Sequence, residues 1–461
     1  MLFKDFRSAS AAVSVYEETP KLWTAAEDDG HQVQCSRLTA SSVIDKDSDF
    51  WTRLPELQKL EVEDGKAVIR ALSKRFSEML KLETLSITWT DIKSLPTGCR
   101  TLPLKTLVLK QDHLRSLDGI ETLTMLKMLD VTSNSLKTLP KSLGSLENIR
   151  VLNVCGNKLR QLPECLGKLP HLETFDCSSN RLTALPDSLM NLEALVGLDI
   201  SSNHIDRLPE DFGKLSKLTD LRASGNQLTS LPKSFAHLSR LASLLLGNNK
   251  LLFVPMELGA LERLENLNLR NNYISSVDCA LSSVKTLILE HNRLTTLGNG
   301  ICCSAKLEIL SLERNQIKVI SDEIGNLKRL RSLNLNENPL VEIPDSVFAL
   351  WKERQVKVRL KETKFDITEN QSVTEVEVLL PNWDHSSNST PQPTTTSAVL
   401  PNLHPAQNLI DPETDVPDLA SQPVAGSDQP NEPASSRPPT KPKPTNASLK
   451  RNNQTVLQTM L

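Results

Sequence analysis

One frame governs this chain. The pattern LxxLxLxxNxLxxL recurs twelve times between Leu82 and Ile343. Its ninth position runs Thr90, Asp112, Asn134, Asn157, Asn180, Asn203, Asn226, Asn249, Asn272, Asn292, Asn315 and Asn338. The steps are 22, 22 and then 23 residues, apart from one step of 20 between Asn272 and Asn292. Such a register marks a stacked repeat, because a unit of this size cannot bury its own apolar face and must lean on its neighbours. Within each copy LxL alternates, so the leucines of a short strand point inward and the residues between them outward. Neighbouring copies then pair in parallel, about 4.8 Å apart. The asparagine sits where the chain turns off the strand. Its amide both donates to and accepts from backbone groups that would otherwise be buried unpaired. In eight of the twelve copies Pro follows the last frame residue, as in Leu139-Pro140, Leu162-Pro163 and Leu185-Pro186. A residue with fixed φ and no N–H suits an irregular convex side better than a regular helix. The exceptions are Leu117-Asp118, Val277-Asp278, Leu297-Gly298 and Ile320-Ser321. The copy ending at Asn292 also lacks three convex residues, where a local change of curvature is expected.

From Leu82 to Pro344 the pattern resembles the leucine-rich repeats of intracellular proteins that carry an LP signature on the convex side. Within that class it is similar to the Sur-8 type of Ras-pathway scaffold and to Scribble-type polarity arrays. The resemblance implies an α/β solenoid with a curved parallel sheet on its concave face. It also implies a protein ligand there, a small GTPase or a phosphatase. No Arg/Lys-Val-x-Phe/Trp string of the phosphatase-docking kind is present, which departs from the scaffold pattern.

The ends lose the period. Residues 1–50 are expected to be unstructured. Leu57, Leu60 and Val62 read as a degenerate further strand, and Lys66 to Leu80 as an amphipathic helix capping the first open turn, together 51–81. Twelve repeats occupy 82–344. Asp345 is placed as the cap of a short helix reaching about Arg354. Gln355–Leu360 and Thr374–Leu379 alternate strictly, one set basic (Lys357, Arg359) and the other acidic (Glu375, Glu377). They are expected to pair as an antiparallel hairpin completing a cap over 345–380. The last 81 residues, 381–461, hold 14 of the 27 prolines and much Ser, Thr, Asn and Gln. With so little apolar surface to offset ordering entropy, they read as a disordered tail.

Catalytic parts are missing. No GxxxxGK[ST], HExxH, HRD with DFG, or GxSxG occurs. None of the eight cysteines has Asp two residues later, the nucleophile pattern of effectors that join similar repeats to a ubiquitin-ligase domain. No cysteine or histidine spacing suggests a metal, and no cofactor is expected. Cys155 falls on the solvent side of its strand and Cys177 on the core side; His291 reads as a surface residue. The formal charge of −3 argues against nucleic acid. The N-terminus lacks a secretory pattern, no stretch has membrane-span length, and the cysteines lack a disulfide framework, so a cytoplasmic protein is expected.

That leaves binding. With the frame numbered from its first leucine, positions 3, 5, 7 and 8 face the concave surface. Position 5 supplies Asp130, Asn153, Asp176, Asp199 and Arg222; position 7 supplies Arg270, Glu290 and Glu313; Asp220 stands at position 3. The middle of this face is small and acidic, which suits a basic partner. Asp and Ser at these places are equally the ordinary way of writing the repeat. Trp89, at position 8 of the first clear copy, is either a contact residue or a packing residue against the N-terminal cap. The final Thr459-Met460-Leu461 has the form read by PDZ domains, with Thr459 as the hydroxyl contact and Leu461 as the buried anchor. A docking helix or an inert end are the alternatives. Two functions fit: an adaptor holding a signalling protein, or a substrate-recognition or effector-type subunit whose catalytic domain is on another chain.

Overall fold

The computed structural model describes residues 24–28, 31–38, 51–64, 69 and 72–364. They belong to a unit spanning Met1–Val376; the second unit, Glu377–Leu461, lies outside the described residues, and with it the expected tail. One sheet of sixteen strands runs in chain order without a crossover. It opens with β1 (Thr24–Asp28), β2 (His31–Leu38), β3 (Lys59–Glu63), β4 (Thr84–Thr88) and β5 (Thr106–Lys110). Ten three-residue strands follow: β6 (Met128–Asp130), β7 (Val151–Asn153), β8 (Thr174–Asp176), β9 (Gly197–Asp199), β10 (Asp220–Arg222), β11 (Ser243–Leu245), β12 (Asn266–Asn268), β13 (Thr286–Ile288), β14 (Ile309–Ser311) and β15 (Ser332–Asn334). β16 (Lys357–Arg359) closes the order. All pairs from β2 to β16 are parallel and hold the repeat register; Leu198 stands opposite Leu221, and Leu221 opposite Leu244. The sheet is curved and unclosed, the α/β solenoid that the frame demands.

The core is the frame itself. Leu195, Leu198, Ile200, Ile205 and Leu208 of one copy are buried, as are Leu218, Leu221, Ala223, Leu228 and Leu231 of the next. Cys177 is buried at a core position and Cys155 is half-buried on the strand's other face. The asparagines form the expected ladder. Asn203 Nδ2 donates to the carbonyls of Cys177 (3.1 Å) in the preceding copy and Ile200 (3.0 Å) in its own. Its Oδ1 accepts from the Leu182 N–H at 2.9 Å.

The convex side is made of 3-10 turns. After each Leu-Pro the proline carbonyl accepts an N–H three residues on, as with Leu143 and Pro140 (3.1 Å) or Leu166 and Pro163 (3.1 Å). Ser321 replaces proline in one copy, and its hydroxyl accepts from the Glu323 N–H. Beyond Ile69 and Leu72, which are helical, α-helix among the described residues is confined to α1 (Asn299–Cys302) and α2 (Asp345–Lys352). The copy between Asn272 and Asn292 has no convex helical turn, because its three missing residues are those that would form one.

Three expectations at the ends change, and a fourth falls partly outside the described residues. Within 1–50, β1 and β2 form an antiparallel hairpin, and β2 adds to β3 in parallel, so the edge is extended by backbone pairing that leaves no periodic signature. The helix expected over Lys66–Leu80 is described only in part. Ile69, Leu72, Phe76 and Met79 are buried, but the chain tightens to a 3-10 turn at Phe76–Glu78 and Leu80 is exposed. At α2 Pro344, not Asp345, holds the N-cap place, and Asp345 is the first helical residue. β16 pairs in parallel with β15 as one more rung, with Leu333 opposite Val358; the antiparallel partner expected at Thr374–Leu379 lies outside the described residues.

Candidate functional site

The concave face is built by the strands and the turn that ends each of them. In all twelve copies position 8 has a left-handed backbone, φ between +52° and +69°, from Trp89 to Glu337. The same geometry recurs one copy beyond at each end, at Asp64 (φ +51°) and Glu362 (φ +55°). This turn throws position 8 outward and returns position 9 to the core. Only Gly156, Gly225, Asn248 and Asn271 signal it in sequence; Gln111, His291, Arg314 and Glu337 do not.

Parallel register brings Asp130, Asn153, Asp176, Asp199 and Arg222 into a single row, since Asp130 stands opposite Asn153, Asn153 opposite Asp176, Asp176 opposite Asp199 and Asp199 opposite Arg222. Asp220 flanks the row at position 3 and accepts a hydrogen bond from Thr219 Oγ1 at 2.5 Å. Arg270, Glu290 and Glu313 form a second group that begins two copies beyond Arg222. Arg270 meets Glu290 at 3.5 Å, Glu290 accepts from Ser311 Oγ at 2.6 Å, and Glu313 accepts from Asn334 Nδ2 at 2.8 Å.

The carboxylates do local work first. Asp176 Oδ1 accepts from the Ser178 N–H (2.9 Å) and Oγ (2.6 Å), and Asp199 Oδ1 accepts from the Ser201 N–H (2.9 Å). Asn153 and Asn268 make the same two-residue turn. Asp130 is 2 % exposed and pairs with Lys110 Nζ at 2.8 Å, a neutralising partner that its own copy does not contain. Asp176 and Asp199 are half-buried rather than freely exposed, and side by side. Burial first, and the Asp199 charge second, push the Asp176 carboxyl up to about 7. Burial also raises Asp199, against the opposing pull of the Ser201 N–H, the Ser201 hydroxyl and Arg222. Two like charges with little water resist ionising together.

The remaining surroundings are small: Ser178, Ser201 and Ser224 at position 7, and Gly156, Ser179, Ser202 and Gly225 at position 8. A partner can therefore approach the sheet closely in these copies. Trp89 is 53 % exposed with φ +60°. His291 Nε2 stands 3.3 Å from Arg314 Nη1 on the same surface. Thr459 and Leu461 lie outside the described residues. Among the described residues no three His, Cys, Asp or Glu side chains gather as a metal site, and no helix is long and apolar enough to cross a membrane.

A family model described as leucine rich repeat matches residues 124–182, 170–228, 194–251 and 282–340. No curated protein matches the chain. Among solved structures, a leucine-rich-repeat protein of Leptospira interrogans is 30 % identical, over 68 % of this chain and 86 % of its own, with a TM-score of 0.58. An internalin, InlF, from Listeria monocytogenes is 21 % identical over 65 % of this chain and 85 % of its own, at a TM-score of 0.55. A chain of the LRIM1/APL1C complex shares the fold at 20 % identity and a TM-score of 0.55, covering 72 % of this chain and 66 % of its own.

Proposed function

The chain belongs to the leucine-rich-repeat family, whose domains generally mediate protein–protein interaction, and from there we propose that it is an intracellular scaffold holding a signalling protein on its concave face. The observation that carries the reading is the row of copies in which short serines and glycines surround the Asp176–Asp199 pair. There a partner's backbone or a basic side chain can reach half-buried carboxylates, Asp199 beside Arg222 and Asp176 beside Asp199. A cation beside the two acids relieves the repulsion between them, which favours a basic partner surface. Arg270, Glu290, Glu313 and Trp89 supply further contacts toward the two ends. The resemblance to Sur-8 and Scribble-type arrays supports a small GTPase or a phosphatase as the ligand and the cytoplasm as its place.

Affinity capture with the double variant Ser201→Trp/Ser224→Trp tests this. Both serines face outward, so indole rings obstruct the face without entering the core. Loss of GTPase or phosphatase recovery relative to the parent chain is the expected result. Equal recovery by both removes the concave face from consideration, and recovery of ligase components instead favours a substrate-recognition subunit.

A further inference from the structure

A cleft of about 440 Å³ opens at the C-terminal end of the solenoid, bounded by Glu308, Lys328, Arg329, Leu330, Arg331 and Arg354. It lies where the chain enters β14 and β15, beside the end of α2, and not among positions 5 and 7. Elsewhere along this edge several cations are matched by a carboxylate of a neighbouring copy. Lys105 meets Glu83 at 2.5 Å, Arg150 meets Glu173, and Lys285 meets Glu265 at 2.7 Å. In the cleft the cations are in excess. Glu308 meets Arg331 at 3.2 Å, while Lys328, Arg329 and Arg354 have no carboxylate partner among the described residues. Four cations against one carboxylate leave a net charge of +3 (4 − 1) on a single small concavity.

One cation is held in place by backbone carbonyls, and a second stands on a strand whose main chain is fixed. Arg354 Nη2 donates to the Leu327 carbonyl at 3.0 Å and to that of Lys328, which anchors the guanidinium at the rim. Arg331 is fixed by the ladder, its N–H bonded to the Glu308 carbonyl (2.8 Å) and its carbonyl to the Lys357 N–H (2.9 Å). Lys328 and Arg329 are exposed and free to close on a ligand. Planar forks beside a mobile ammonium suit a dianion with several acceptor oxygens. A lone carboxylate would neutralise only one of the three unmatched charges.

We propose that this cleft binds a phosphate ester carried by a partner protein, a phosphorylated serine or threonine side chain. The site is separate from the concave row, so either reading can fail without the other. Pyrophosphate titrated calorimetrically into the full chain is the first probe, and a phosphoserine peptide with its serine counterpart the second. Lys328→Glu/Arg329→Glu reverses two exposed charges; Lys137→Glu/Lys141→Glu makes the same charge change far from the cleft. Saturable one-to-one binding of pyrophosphate is expected, weakened about tenfold or more by the first pair and left unchanged by the second. The phosphoserine peptide displaces pyrophosphate and the serine peptide does not. No saturable binding, or equal weakening by both double variants, overturns the site. Sedimentation with vesicles containing phosphatidylinositol 4,5-bisphosphate, without displacement by the phosphoserine peptide, overturns the protein-borne ester in favour of a lipid headgroup.

Discussion

A single atom separates the rungs of the ladder. Ten of the twelve copies place an asparagine amide against the carbonyls of position 6, and Asp112 places a carboxyl oxygen at the same rung. Asp112 Oδ1 is engaged by the Thr90 N–H (2.5 Å) and Asp91 N–H (2.8 Å), while Oδ2 is buried with no hydrogen-bond partner. Burial raises its pKa against the pull of those N–H groups. A carboxyl whose folded pKa is raised contributes stability that is whole below its unfolded value of about 3.9 and is lost as pH rises through the folded value. Asp112→Asn restores the donor. The variant is expected to melt above the parent, by a margin that widens from acid to neutral pH. Asp176→Asn behaves alike, its margin opening as pH climbs from about 4 through about 7, since a neutral amide beside Asp199 keeps the Ser178 bond and drops the repulsion. Melting curves of both variants across that range check the signs; a margin that shrinks with pH refutes the argument.

At the scale of the element, the convex turns stack so closely that their glycines are required by space. A Cβ on Gly167 would lie 2.1 Å from the Ser188 carbonyl oxygen of the next turn, whereas one on Gly259 would meet nothing closer than the Ala280 carbonyl at 3.4 Å. The difference follows from the short copy after Gly259, which has no convex turn to press against it. Gly167→Ala is expected to cost about 1–3 kcal/mol in denaturant unfolding and Gly259→Ala almost nothing, an ordering that equal losses would contradict. The proline after position 14 and the asparagine at position 9 were legible from sequence, because each fills the same chemical need in most copies. The place of β16 as a further rung was not legible, because Gln355 and Thr363 stand where the frame expects Leu and Asn, although Thr363 Oγ1 still bonds the Leu360 carbonyl at 2.6 Å. The row of acids was legible from the period. Its burial and the Lys110 partner of Asp130 were not, since both depend on how far neighbouring copies overhang the sheet.

At the largest scale the solenoid is a line of nearest neighbours, and the same cavity has different reach along it. Leu221→Ala empties a fully buried site in the seventh copy and is expected to cost about 2–5 kcal/mol of global stability. Leu360→Ala empties a site in the last rung, which has a described neighbour on one side only. Its effect is expected to stay local, read by hydrogen exchange as faster opening of β15 and β16 with the protection of β7 to β10 unchanged. Faster exchange throughout would mean that the array unfolds as one block. The repeated left-handed turn at position 8 has a consequence for how such a chain changes over time. Trp89, Gly156, Asn248, Arg314 and Glu337 all occupy the same bend, and the strain of holding it is much the same for any side chain that carries a Cβ. Glycine and asparagine aside, stability therefore changes little with which unbranched residue stands there, while the surface presented to a partner changes completely with each replacement. The row is a keyboard whose keys can be exchanged one at a time, each at the next strand spacing, without retuning the frame beneath.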